Sequence, residues 1–449
     1  MTDITFLPPG RHDDPVVWRE GLQITRARFL QDVTALARRL PASSHVLNHC
    51  DDRYFFLVGL AAAMMRRQVS LFPSSRAPQV LESLKQEYPD LYCLTDKPEQ
   101  PEIMETLVYS GTEHPVVSIG AEDLTFPAEQ LVAIAFTSGS TGRPKRYPKY
   151  WGGVVHESRV AGRRLGLDAE RGGYAVATVP PQHMFGFVYS VILPLQHRYV
   201  VEAQRPFYPE DIRRVLESFP GPGMLVTTPV HVRACVLDRV QLPAVEFILS
   251  STAPLDARLA EQAESQFDTH VIEFYGSSET GAIASRRQAE TEVWETFEDI
   301  QVAVDADGFR VQASYLPEPI TLGDSVEIRN NRQFVLFGRN TDLVKIGGKR
   351  ISLSDLNRLL LEIDGILDGT FFLPDANGNR ENRLAAFVVA PGLSRGQILT
   401  ALRRRIDPVF LPRPLRLLTS LPRNATGKLP RGSLMRLIEG EEEQEETAD

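Results

Sequence analysis

From about residue 20 to residue 330, short apolar runs alternate with longer stretches of amphipathic spacing. That alternation predicts strands separated by crossover helices, the pattern of a parallel α/β sheet. The runs are HVLNHC (45–50), QVSLFP (68–73), LVAIAF (131–136), YAVATV (174–179), GMLVTT (223–228), VEFILS (245–250) and VIEFYG (271–276). Several end in Gly, Ser, Thr or Pro. In parallel α/β sheets ligands bind beyond the C-terminal ends of the strands, so these endings would place hydroxyls and bare backbone there.

After Gly338 the pattern changes. VKIGGKRI (344–351) reads as a strand pair around two glycines, and SDLNRLLLEI (354–363) as a helix opened by a capping Ser354. TFFLP and LAAFVVA read as strands flanking the turn-rich DANGNREN. SRGQILTALRRRI reads as a second helix, and LRLLTSLP as a last strand. The expected organisation is a large α/β domain over 1–338, a hinge at 339–342 within GRNTD, a small α+β domain over 343–437 and a disordered acidic tail over 438–449.

Composition narrows the class. With 449 residues the chain is long for one core, and its 43% hydrophobic and 24% charged residues are ordinary for a globular protein. The longest apolar run, Tyr54–Met65, is 12 residues and too short to span a bilayer. No cationic segment leads into an apolar one at the start, so no signal peptide is expected, and the expected location is cytoplasmic. Cys50, Cys93 and Cys235 have neither disulfide nor metal-ligand spacing. A net charge of −9 argues against general nucleic-acid binding, yet residues 340–431 hold 15 Lys or Arg against 8 Asp or Glu, a balance of +7. That basic segment is either a solvated face or a surface for an acidic partner.

The first stretch with chemistry follows the run LVAIAF: TSGSTGRPK, comprising Thr137, Ser138, Gly139, Ser140, Thr141, Gly142, Arg143, Pro144 and Lys145. It is either a flexible surface loop or an anion cradle, since glycines let backbone amides point inward and hydroxyls and a cation complete the donor set. It lacks the Gly-Lys-Ser/Thr ending of the common nucleotide loop. Four further stretches follow in order: YGSSETG (275–281), LGD (322–324), GRNTDLVKIGGKRI (338–351) and PRNATGKLPR (422–431). Together the set resembles the adenylate-forming (ANL) superfamily of acyl- and aryl-CoA ligases, peptide-synthetase adenylation domains and luciferases. The resemblance runs from about Leu131 to Arg431 and implies that fold, with a small β-rich subdomain added to the large domain.

The resemblance also implies roles. A substrate carboxylate would attack the α-phosphate of ATP, and two anions must be brought together, so the protein supplies cations and donors. The loop from Thr137 to Lys145 would hold the outer phosphates, Glu279 magnesium, Ser278 the α-phosphate and Tyr275, with Gly276, the adenine side. Asp324 would take the ribose hydroxyls, with Arg339 beside it. Ser251, Thr252, Ala253 and Pro254, in SSTAPL, would line the adenine and acyl pocket. Lys428 would be the catalytic lysine. In PPQHMFGF, His183 would gate the carboxylate; Phe185 and Phe187 fit either the pocket or the core, and His231 is read as structural. Thr341 and Asp342 stand where the family has two acids at its hinge, and Gly347 and Gly348 would line the thiol tunnel.

The substrate is less legible. The short chain and the continuation RYPKYWGG look like the compact ligases of aryl-polyene and xanthomonadin-type pigment pathways. That implies a hydroxybenzoate or similar aryl acid, such as 4-hydroxybenzoate, loaded onto the phosphopantetheine of an acyl carrier protein. Free CoA as acceptor, and a medium-chain or 3-hydroxy fatty acid as substrate, are the alternatives. Carrier proteins are acidic, so the +7 balance over 340–431 favours a carrier docking there.

Overall fold

The structure is a computed structural model that describes residues 2–73, 75–97, 103–111, 124–137, 145–167, 172–305, 308–316, 318–339, 342–346, 349–374, 383–424 and 427–439. The chain divides into two compact units. The first comprises 1–291, 296–300 and 313–318; the second comprises 292–295, 301–312 and 319–449.

All seven apolar runs form strands in the first unit. One sheet is ordered Lys145–Tyr150, Leu131–Thr137, Val69–Phe72, His45–Asn48, Tyr92–Thr95, Thr106–Val108. Its pairings are parallel except the first, which is antiparallel. Eight further strands of the unit run Gly281–Arg286, Val271–Ser277, Val245–Ser250, Gly223–Thr227, Gly173–Ala177, Tyr199–Glu202, Pro15–Arg19, Leu22–Thr25. Within this series the pairings are parallel, with an antiparallel strand closing each end.

Helices lie between these strands because their apolar residues recur on one face. In Ala257–Phe267 the buried positions Leu259, Ala260, Ala263 and Phe267 form such a stripe, and Asp256 caps its start by accepting from the Leu259 amide. They pack with Val176, Leu225, Ile248 and Val271 from the strands. The apolar run at 54–65 is helix Arg53–Met65, buried nearly all round and capped by Asp52. Among the described residues no helix is long and apolar enough to cross a membrane, and all three cysteines are buried free thiols.

In the second unit, Asp324–Asn330, Gln333–Arg339 and Val293–Thr296 pair antiparallel. Ile300–Asp305, Gly308–Ala313 and Ile320–Leu322 form a small sheet of their own. Leu343–Ile346 and Lys349–Ser352 form the expected hairpin. The helix that follows is Leu353–Leu361, and its cap is Ser352, not the expected Ser354: the Ser352 hydroxyl accepts from the Asp355 amide at 2.9 Å. Ser352 ends a strand in extended geometry, which frees its side chain to turn back on the helix, whereas Ser354 already lies in the first helical turn.

Asp368–Phe372, Ala385–Val389 and Leu415–Leu417 make a three-stranded sheet. The strand Ala385–Val389 is apolar on both faces. Ala386 and Val388 pack with Leu356, Leu360, Ile398 and Leu402. Ala385, Phe387 and Val389 pack with Leu421, Leu434 and Leu437. Helix Arg395–Arg403 is opened by a capping box between Ser394 and Gln397. The last helix, Arg431–Glu439, carries Leu434 and Leu437. The tail expected to be disordered from residue 438 begins inside this helix, which continues through Glu439; the turn-rich link 375–382 and residues 440–449 lie outside the described residues.

Candidate functional site

Thr137 ends one strand and Lys145 begins the next, and the two are paired in register across the antiparallel ladder. Ser138, Gly139, Ser140, Thr141 and Gly142, between them, lie outside the described residues. Side chains alternate along a strand, so Lys145, Tyr147 and Lys149 share one face. Both Tyr147 and Lys149 reach Glu279. Tyr147 hydrogen-bonds to Glu279 and to Thr137, and Lys149 Nζ lies 3.5 Å from the Glu279 carbonyl oxygen.

Glu279 stands on the turn between strands Val271–Ser277 and Gly281–Arg286. That turn is tightly bonded. The Thr280 amide donates to Ser277 Oγ at 3.2 Å, and Tyr315 donates its hydroxyl to the Thr280 carbonyl at 3.0 Å. Gly281 has φ +72°, and Gly276 must be glycine because a Cβ there would stand 2.1 Å from the Gly281 carbonyl oxygen. Tyr275 and Ser278 are half-buried on either side of Gly276 and Ser277.

Electrostatics favour an ionised carboxylate at this turn. Burial alone would raise the Glu279 pKa, but hydrogen bonds from Ser277 and Tyr147 and the Lys149 charge hold it below its ordinary value. Burial, with the hydrogen bond to Glu279, pushes the Tyr147 phenol up to about 12, so it remains a donor. Glu157, on helix Trp151–Arg164, is 6% exposed and accepts from the Tyr189 hydroxyl at 2.7 Å and the Ala282 amide at 2.9 Å. Burial raises its pKa, and burial lowers that of Lys149. Sequence reasoning missed Tyr147, Lys149 and Glu157. The available signal was Glu157 itself, a carboxylate on the buried stripe that Val154, Ser158 and Ala161 mark out.

Ser251, Thr252, Ala253 and Pro254 follow strand Val245–Ser250. Ser251 donates to the Phe274 carbonyl at 2.8 Å, and Thr252 holds φ +79°, strain of about 1–3 kcal/mol that the surroundings must enforce. Part of that enforcement is Glu273. It accepts the Leu255 amide at 2.8 Å and pairs with Arg286 at 2.7 Å, tying the loop to the strand beside it.

His183 is half-buried and opens the short helix Met184–Phe187. Phe187 is fully buried against Phe72, so it belongs to the core. Phe185, 7% exposed, packs on Tyr189. His231 is buried, bonded through Nδ1 to Thr228 at 3.0 Å and set edge-on to Phe207. Its Nε2 has no hydrogen-bond partner among the described residues, and burial together with the Arg205 charge pushes its pKa down to about 4.

In the second unit Asp324 and Arg339 face each other in register across the ladder of strands Asp324–Asn330 and Gln333–Arg339. Asp342 is described, whereas Thr341, Gly347 and Gly348 lie outside the described residues. Lys428 is exposed on a turn between Leu421 and helix Arg431–Glu439. Its amide donates to Asn424 Oδ1 at 2.9 Å, and its carbonyl accepts from the Asn424 amide at 2.9 Å. Gly427 takes φ +76°, and Arg423 donates to the Gly427 carbonyl at 2.7 Å. The Arg423 guanidinium is itself anchored by a two-pronged pair to Asp368 at 2.8 and 2.9 Å.

Among the described residues no three His, Cys, Asp or Glu side chains converge as a metal cage. A single ionised carboxylate suits magnesium, which takes one or two carboxylates and completes its shell with water and substrate phosphates. The residues present therefore fit a magnesium–nucleotide complex.

Comparison with known proteins gives the family. The family model described as AMP-binding enzyme matches residues 11–305. A 4-coumarate–CoA ligase of Rhodobacter capsulatus is 27% identical over 305 residues, covering 67% of this chain and 75% of the relative. The structure of o-succinylbenzoate CoA synthetase from Bacillus subtilis with its acyl-adenylate intermediate matches at TM-score 0.79 and 16% identity, covering 97% and 98% of the two chains. The same synthetase with ATP and magnesium matches at TM-score 0.78 and 16% identity, over 94% and 97%. The fold is that of the adenylate-forming enzymes.

Proposed function

The chain belongs to the AMP-binding enzyme family and is an AMP-forming acid–thiol ligase, and on that premise we propose that it joins a hydroxybenzoate-type aryl acid to the phosphopantetheine thiol of an acyl carrier protein. The observation that carries the ligase reading is the convergence at Tyr147: two motifs some 130 residues apart meet where Tyr147 and Lys149 reach Glu279.

The reaction has two steps. A carboxylate oxygen attacks the α-phosphorus of ATP, the bond to pyrophosphate breaks, and an acyl-adenylate forms. The thiol sulfur then attacks the acyl carbon, AMP leaves, and the thiol proton passes to solvent. In our reading Thr137 and Lys145, with the loop between them, hold the outer phosphates, and Ser278 donates to the α-phosphate. Glu279 would hold magnesium, which when bound would neutralise part of the phosphate charge. Tyr275 and Gly276 flank adenine, Asp324 accepts from the ribose hydroxyls with Arg339 beside it, and Ser251–Pro254 line the pocket wall with Phe185. His183 lies beside the substrate carboxylate. Lys428 supplies the ammonium that offsets two approaching anions. Thr341 and Asp342 act as hinge, and Gly347 and Gly348 border the thiol path.

The aryl acid is supported by the 4-coumarate and o-succinylbenzoate ligases to which the chain is similar, since both names denote acids with aromatic rings. The carrier is supported by the +7 balance over 340–431 and by Arg403, Arg404 and Arg405, exposed together at the end of helix Arg395–Arg403. A second reading has free CoA as acceptor, favoured by the CoA ligases among the similar proteins. The test is acid-dependent exchange of labelled pyrophosphate into ATP, run with benzoates, cinnamates and fatty acids. Mass spectrometry after adding CoA or holo carrier protein then identifies the product. Exchange with an aryl acid, lost in Lys428→Ala while ATP still binds, is the expected result; exchange undiminished in that variant would refute the assignment.

A further inference from the structure

Three side chains grip successive parts of the turn that carries Glu279. Lys149 Nζ stands 3.5 Å from the Glu279 carbonyl, the Tyr315 hydroxyl bonds the Thr280 carbonyl at 3.0 Å, and Glu157 accepts the Ala282 amide at 2.9 Å. Glu157 also fills the space beside Gly281, where any Cβ would stand 2.4 Å from its Oε2. A turn held at adjacent positions has its carboxylate aimed before a ligand arrives, and loss of such supporting groups typically costs about 10- to 100-fold in metal affinity.

Lys149 is the member of this set that ordinary packing does not explain. It is half-buried on a strand face with Lys145 and Tyr147, and an ammonium partly withdrawn from water needs a compensating charge. Two carboxylates offer one: the buried Glu157 and Glu279 both stand within reach of its field. An apolar residue would fill that space at less desolvation cost, so the charge itself has a use. Resting on the ligase reading above, we propose that Lys149 is a positioning residue of the nucleotide–metal site. It offsets the buried Glu157 and holds the Glu279 backbone, so that the Glu279 carboxylate meets magnesium with its orientation already set.

The experiment compares wild type, Lys149→Met, Lys149→Arg and the double variant Lys149→Met/Glu157→Gln. Calorimetric titration with ATP in the presence and absence of magnesium is read beside thermal melting and the KM for the acid. Lys149→Met should weaken magnesium-dependent ATP binding about 10- to 100-fold with the acid KM unchanged. Lys149→Arg should recover part of that loss. The double variant, which removes both ionisable side chains, should regain the wild-type melting temperature but not the affinity. If the double variant recovers both, Lys149 only neutralises Glu157 and the proposal falls; it falls equally if Lys149→Met binds as wild type does. Should Lys149→Met fail to fold, the double variant carries the test alone. A wild type that binds no ATP would instead overturn the ligase reading, so the two failures are distinguishable.

Discussion

Arg423 does not touch the reacting groups in our reading, yet it holds the turn on which Lys428 sits, and replacing it with Met isolates that task. The substitution removes three hydrogen bonds: two to the Asp368 carboxylate at 2.8 and 2.9 Å and one to the Gly427 carbonyl at 2.7 Å. Hydrogen bonds to charged groups contribute roughly 1.5–3 kcal/mol each when shielded. The two side chains are 21% and 24% exposed, so water recovers much of the total. About 2 kcal/mol of lost order in the turn is the working figure after that discount. If only the ordered turn is competent, adenylation slows roughly 30-fold. Pyrophosphate exchange measures that step, and transfer to the thiol from pre-formed adenylate measures the other. Arg423→Met should slow the first and spare the second, since in our reading Lys428 acts on the carboxylate and α-phosphate during adenylation. An unchanged exchange rate in a folded variant would refute the claim that the Arg423–Asp368 pair sets the position of Lys428; equal loss in both steps would show a general defect.

Three further outcomes are expected. Gly276→Ala forces a Cβ to within 2.1 Å of the Gly281 carbonyl, and should cost about 1–3 kcal/mol of stability by overpacking, together with ATP binding; a variant that melts and binds like wild type would contradict the turn geometry. His231 is held neutral, with its pKa lowered from 6.5 to about 4 by burial and the Arg205 charge. The unfolded chain therefore binds the extra proton first, so this group's contribution to stability is complete above about pH 6.5 and declines as pH falls toward about 4. His231→Phe should flatten that limb of a melting-temperature profile, and an unaltered limb would reject the assignment. Replacing Arg403, Arg404 and Arg405 with Gln should raise the apparent KM for carrier protein with exchange intact; carrier kinetics insensitive to both the change and a salt series would argue for free CoA.

Much of both sheets of the first unit was legible because buried parallel strands must be continuous apolar runs, and all seven runs became strands. The hairpin and helices after Gly338 were readable from glycine placement and capping residues. The helix start was misplaced by two residues because Ser352 and Ser354 are equally good caps in sequence, and only the end of a strand chooses between them. Lys149 and Glu157 stayed hidden for a different reason. A lysine in RYPKY reads as a solvated charge, and its meaning depends on a turn that arrives 130 residues later. The candidate site was legible as motifs, through resemblance; the groups that hold those motifs in place were not.

The strap from Leu421 to Leu434 is pinned at both ends in the same apolar cluster against strand Ala385–Val389. Between those pins Arg423, Gly427 and Lys428 are each fixed by named contacts or backbone geometry, and the count of residues is metered as well. One residue added or removed would shift Lys428 along the chain by roughly 3.5 Å, more than the length of a hydrogen bond. Length polymorphism should thus be tolerated far better in the first unit's exposed turns away from Glu279 than here, where the chain works as a ruler with its zero set in the core.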